Sequence, residues 1–365
     1  MLSPQRILTW LETNVNGMRR SRIKTLSHIV PAAMLLCGVG LHTLGRGMRT
    51  GTTAKHNIKR VGRFLGNNAV ESAALAQGLF DAFAPRHGRV LILADWTDVA
   101  NGKLLVFALP CNGRSIPFFT KVVPKHAVEG ALIRAENEAL EVLGVICRVR
   151  SNIVIVADRG FGNQRWLGAV VRQGFHFVQR LSCVFFADTE GYIGTLRDLD
   201  LRRGTRVRDW GHGTVGEDEA IEGRLVTAYD KKAKEPWYLI TDIEDAGTHE
   251  IVNVYRRRWW IETLFRDKKN RHWGMGLASV HLNDYRRYER LFYIIALAFI
   301  MLTAHGAAAE ADGYDRGLKA NTRKTRVINL LRMGYHFIRS KGDNIEYAMA
   351  ALRDMLYRQV APNWG

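Results

Sequence analysis

The sequence predicts an α/β fold: a mixed sheet flanked by helices, broken by a β-rich insertion, with helical regions at both ends. Three observations predict it. Short apolar runs separated by Asn-Gly turns begin a meander near Gly88. Apolar strands then alternate with helical stretches as far as Leu181, and the segments before and after this core carry helical spacing. At 365 residues, 47% apolar, the chain suits two domains or one core with additions, and wholesale disorder is excluded.

Residues 1–80 are read as a helical basic region. Residues 1–70 hold eleven Lys or Arg against a single acid, Glu12, and so carry most of the excess charge. Within them, residues 52–65 place Ile58, Val61 and Leu65 at helical spacing, with Lys55, Lys59, Arg60 and Arg63 elsewhere on the cylinder. A basic helix behind a Gly/Thr turn suits duplex DNA. The whole-chain net charge of +18 and pI near 10.0 point to a polyanionic partner, nucleic acid first and an anionic membrane second.

Residues 89–96, 103–109 and 115–123 read as a three-stranded meander with Asn-Gly turns at 101–102 and 112–113. Helices are expected at 128–143 and 164–172, and strands at 152–157 and 175–181. This βββαβαβ order resembles the ribonuclease-H-like fold. Residues 182–235 interrupt it with short strand-like pieces in Gly-, Asp- and Lys-rich turns, read as a β-rich insertion. The core, 88–181, is expected to resume over 236–305 with a strand at 237–241, a continuous helix at 248–270 and an apolar helix at 285–305. Residues 306–365 read as a helical C-terminal region bearing Arg316, Lys319, Arg323, Lys324 and Arg326.

The longest apolar runs, 29–41 and 291–303, fall short of the roughly 18 to 20 residues that cross a bilayer, so no membrane span is expected. No export signal is seen, which places the protein in the cytosol. Cys37, Cys111, Cys147 and Cys183 form no CxxC pair and read as reduced thiols, and His87, His126 and His176 lack spaced metal-ligand partners.

Three acids stand where an acid needs an explanation. Asp95 ends the run 90–94, Asp158 ends 153–157, and Glu262 lies in an aromatic helix. An unpaired carboxylate is costly to bury. Hard divalent ions take carboxylate and phosphate oxygens together, and two of them can activate water and stabilise a leaving oxygen. Asp98 competes with Asp95 but falls toward a turn, and Asp188 competes with Asp158 but has no clean preceding strand. On a continuous helix at ~100° per residue, Tyr255, Arg258, Glu262 and Lys269 share an arc of about 60°, with Arg266 and Trp273 near the same stripe. Such a stripe suits a phosphodiester backbone, or else is a solvated face with an i, i+4 pair.

Tyr255-x2-Arg258-x3-Glu262-x6-Lys269 resembles the Tyr-Arg-Glu-Lys signature of DDE transposases in the bacterial insertion-sequence-four family. Asp-Trp-Thr-Asp at 95–98 and Val-Ala-Asp-Arg-Gly-Phe at 156–161 resemble its first and second acid regions, and the likeness spans residues 50–305. The resemblance implies that Asp95, Asp158 and Glu262 bind two Mg²⁺ ions, with Mn²⁺ as a substitute, in a ribonuclease-H-like core. It implies that Tyr255, Arg258 and Lys269 contact phosphates near the cleaved end, and that Trp259 stacks beside an extruded base. It also implies that the chain binds terminal inverted repeats, cleaves double-stranded DNA at the element ends and joins them to target DNA, acting as a synaptic homodimer. The competing readings are a related nuclease without strand transfer and a noncatalytic DNA-binding repressor.

Overall fold

The run Val90–Val99 forms strand β1 because it is apolar on both faces and is covered on both. It pairs antiparallel with β2 (Gly102–Cys111), which pairs antiparallel with β3 (Arg114–Pro124). In the second hairpin Asn112 and Gly113 both take positive φ, 40° and 78°, as a two-residue turn of that hand requires. In the first, Val99 pairs with Gly102, so the turn residues are Ala100 and Asn101 and the glycine already belongs to β2.

The structure is a computed structural model that describes residues 3–36, 38–128, 130–204, 207–216, 220–269, 277, 280–323 and 326–358, with 266–269 described by backbone alone. Five helices precede the sheet: α1 (Pro4–Asn14), α2 (Arg20–Leu36), α3 (Leu41–Gly47), α4 (Ala54–Leu65) and α5 (Ser72–Phe83). After the meander come α6 (Ala131–Cys147), β4 (Ile153–Ala157), α7 (Gln164–Arg172) and β5 (His176–Arg180). β4 lies parallel to β1, and β5 lies parallel to β4. The order β3-β2-β1-β4-β5 is compatible with a ribonuclease-H-like core.

Residues 182–235 supply β6 (Phe186–Thr189), β7 (Tyr192–Thr195), β8 (Arg208–Val215) and β9 (Ile221–Ala228), and β10 (Trp237–Thr241) follows. These strands continue the same sheet. β10 pairs with both β5 and β9, giving the ten-stranded order β3-β2-β1-β4-β5-β10-β9-β8-β6-β7. Hydrogen bonding across β5–β10 makes this segment an extension of the core sheet.

The helix expected over 248–270 is two helices, α8 (Thr248–Arg256) and α9 (Trp259–Lys269), and Asn270 lies outside the described residues. Between them the backbone tightens to i→i−3 bonds: Arg257 N donates to Val254 O, Arg258 N to Tyr255 O and Ile261 N to Arg258 O. The α-helical hydrogen-bond ladder is therefore interrupted at 257–258, and Tyr255, Arg258 and Glu262 still meet at one place.

The chain ends in α10 (Arg287–Ala311), α11 (Leu330–Lys341) and α12 (Ile345–Tyr357). At 25 residues α10 exceeds the expected apolar run and is long and apolar enough to cross a membrane by length and composition. Its apolar window is fully buried within the protein. α2, α11, α12 and β3 surround it, which explains why it is apolar all round. The core is continuous from Ile7 and Leu11 in α1, through Phe299 in α10, to Leu352 in α12. Cys111, Cys147 and Cys183 are free thiols.

Candidate active site

Side chains alternate along β1, so Asp95 and Trp96 face opposite sides of the sheet. Trp96 Nε1 donates to Glu136 Oε1 of α6 at 2.9 Å, which fixes that side as the α6 face. Asp95 points the other way, to the α8–α9 junction, where its Oδ2 lies 3.6 Å from Arg258 Nη1. Asp98 has the parity of Trp96 and is exposed, so it stands across the sheet from Asp95.

Parallel pairing of Ala94 with Ala157 sets the following residues, Asp95 and Asp158, at the same level on neighbouring strands. Each has one oxygen held by the backbone. Asp95 Oδ1 accepts from Trp96 N at 2.8 Å, and Asp158 Oδ1 accepts from Arg159 N at 2.7 Å. The second oxygen of each turns toward Arg258 Nη1, at 3.6 Å for Asp95 and 3.8 Å for Asp158. Glu262, one turn further along α9, accepts from Arg258 Nη2 at 2.5 Å. The three expected acids thus meet around one guanidinium whose side chain is only 4% exposed. Asp188, on β6, stands several strands away along the sheet.

The remaining signature residues have distinct placements. Tyr255 is buried at the end of α8, packs edge-on against Trp237 at 5.0 Å between ring centres, and donates its hydroxyl toward Asp158 Oδ1 at 3.4 Å. Burial keeps that hydroxyl protonated well past its ordinary range. Trp259 is 49% exposed, so it is not a core residue; its ring lies 4.9 Å from Arg258 Cζ. Lys269 closes α9, with its side chain outside the described residues, as are the side chain of Arg266 and all of Trp273.

α9 is seated by polar contacts to the β2–β3 hairpin. Thr263 Oγ1 donates to Gly113 O at 3.1 Å, and Ser115 Oγ donates to Trp260 O at 3.3 Å. Behind Asp158, buried Gln179 donates Nε2 to Asp158 O at 2.6 Å, bracing the end of β4. Arg180, beside Tyr255, donates Nη2 to Glu235 Oε1 at 2.6 Å. Sequence reasoning missed these last three residues. The signal for Gln179 was a lone polar side chain in the strand Phe177-Val178-Gln179, whereas nothing in sequence joins Arg180 to Glu235 or Tyr255.

The electrostatics follow from the geometry. Burial raises the Asp95 carboxyl to about 6, against the pull of Arg258 and the Trp96 N–H, while Asp158 and Glu262 push the same way as burial. Burial also opposes the charge on Arg258, but its acidic surroundings outweigh burial and raise its pKa. Three carboxylates are a donor set suited to a hard divalent ion. In this arrangement their common neighbour is Arg258, and among the described residues no three His, Cys, Asp or Glu side chains lie together as a metal-binding group.

Residues 133–301 match the family model of the transposase DDE domain. The match makes this span, just under half of the chain, similar to the DDE domain of transposases. Asp158, Arg258 and Glu262 fall inside the matched span, and Asp95 precedes it. No curated protein matches the chain.

The basic helix expected near the N-terminus is α4. Lys55, Lys59 and Arg63 are exposed, whereas Arg60 donates to Thr25 Oγ1 of α2 at 3.4 Å. α3 and α4 cross at Gly45, where a Cβ would stand 2.6 Å from Ile58 Cα. The turn between them is pinned by buried Asn57, whose Oδ1 accepts from Thr50 and Thr52 at 2.9 and 3.1 Å. Of the three histidines weighed for metal binding, His176 pairs with Asp242 at 2.9 Å, and His87 and His126 are exposed.

Proposed function

We propose that this chain is a transposase of the insertion-sequence-four family that binds terminal inverted repeats, cleaves DNA at the element ends and joins them to target DNA. One observation carries the reading: Asp95, Asp158 and Glu262, delivered by β1, the end of β4 and α9, surround one buried cation within a sheet of compatible order. Asp95, Asp158 and Glu262 would hold two Mg²⁺ ions, or Mn²⁺ in their place. Once bound, such ions activate water and stabilise the leaving oxygen of a phosphodiester.

The chain's own residues supply the rest. Tyr255, a neutral hydroxyl donor, and Arg258 and Lys269 hold backbone phosphates near the cut, and Trp259 offers an exposed ring for an unstacked base. The exposed row Lys55, Lys59 and Arg63 on α4 meets duplex DNA, and Arg60 joins it at the edge of that face. Two protomers acting on two ends, in the cytosol, complete the proposal.

The test is to incubate the purified protein with an end-containing duplex and Mg²⁺ and map nicks and joined products. Glu262→Gln should abolish cleavage and leave end binding largely intact. Full cleavage by that variant would refute the assignment. Nicking without joined products would favour a nuclease.

A further inference from the structure

Arg258 contributes five N–H donors to a site with 4% side-chain exposure, yet only Nη2 makes a hydrogen bond, to Glu262. Nε and Nη1 are buried without a hydrogen-bond partner. Nη1 stands 3.6 and 3.8 Å from the free oxygens of Asp95 and Asp158, close enough for ion pairing but beyond hydrogen-bond length. A guanidinium placed for permanent structure would satisfy its forked donors bidentately. This one instead neutralises three acids while leaving two of its three nitrogens without a hydrogen bond.

The acids it neutralises are those assigned to metal, and no three acidic side chains otherwise gather as a metal site among the described residues. We propose that Arg258 is a resident counter-ion of the acidic trio, which a divalent cation must displace, so that metal entry frees the guanidinium for a DNA phosphate. The inference rests on the metal-site reading above. It makes Arg258 a positioning residue that acts through the carboxylates: it holds them together in the DNA-free protein and competes with the ion for the same oxygens. Charge accounts for the direction. A cation about 4 Å from a carboxylate in a partly buried site stabilises it, and an incoming ion must first replace that attraction. The ring of Trp259 is half-exposed and 4.9 Å from the guanidinium carbon, close enough for its emission to report on the move.

The test is Mn²⁺ binding to the full-length, DNA-free protein, followed by the electron-spin-resonance signal of free Mn²⁺. Arg258→Met should bind Mn²⁺ about tenfold or more tightly than the wild type, because the competing charge is gone. Arg258→Lys should restore binding near the wild-type level. Binding that is lost in Glu262→Gln but no tighter in Arg258→Met overturns this inference and leaves the metal site standing. Binding indifferent to Glu262→Gln overturns the metal site, and this inference with it. Where Arg258→Met does not fold, Mg²⁺ titration of the wild type, read as tryptophan emission against Trp259→Phe, serves instead. A saturable Trp259 signal is expected, and bound Mg²⁺ with no such signal overturns the inference.

Discussion

Replacing Asp95 by asparagine removes a charge from the place where the fold tolerates it least. The Asp95 carboxyl is raised from 3.8 to about 6, chiefly by burial at the end of β1. Below pH 3.8 both folded and unfolded chains carry the proton, and the group does not affect stability. Between 3.8 and about 6 the native state keeps a proton that the unfolded chain releases, so stability falls as pH rises. Above about 6 both states are ionised and the full penalty applies. A shift of about two pKa units corresponds to about 3 kcal/mol. The carboxamide mimics the protonated acid in shape and charge, so Asp95→Asn should gain up to that amount at pH 8 and about half of it at pH 5. The assay is thermal unfolding in EDTA at several pH values, where the variant should melt a few degrees higher at pH 8. Parallel wild-type and variant curves across this range, or a variant less stable at pH 8, would refute the argument. The expected gain comes with loss of cleavage, as where a site stores instability for function.

Four substitutions probe the N-terminal helices. Lys59→Ala and Arg63→Ala should each lower the salt dependence of duplex binding by about one unit of log–log slope, measured by fluorescence anisotropy from low to moderate salt. Arg60→Ala should change it less, because that guanidinium reaches toward Thr25 of α2; an equal loss would return Arg60 to the front rank of the DNA face. Gly45→Ala should cost about 1 to 3 kcal/mol and weaken duplex binding, since the new methyl meets Ile58 backbone and pushes α3 off α4. Unchanged melting would show that the crossing yields freely. Point changes are preferable to deleting residues 1–70, because Ile7, Leu11 and Ile29 belong to the core that packs against α10.

The elements that burial dictates were the legible ones. α7 and β10 fall at 164–172 and 237–241 as their patterns predict, and β1 to β4 lie on their apolar runs with ends shifted by one to three residues. Strands buried on both faces announce themselves by composition. Two features did not. The register that joins β9 to β10 is a tertiary fact, so the sequence shows residues 182–235 as a β-rich insertion without showing that its strands extend the core sheet. The break at Arg257–Arg258 was hidden because helical periodicity runs unbroken through Tyr255, Arg258 and Glu262, and neither Gly nor Pro marks the stop.

The site shows what spacing can and cannot carry. α8 keeps Tyr255 against Trp237 and Asp158, α9 carries Glu262 beside the β2–β3 hairpin, and Arg258, between the two helices, is buried among the acids. Spacing in the sequence thus identified which residues meet, because i, i+3 and i, i+4 neighbours stay close with or without the break. It could not show which of them is buried. Burial of Arg258 depends on the strands packed against it, and it sets a cation where the carboxylates of β1 and β4 need one.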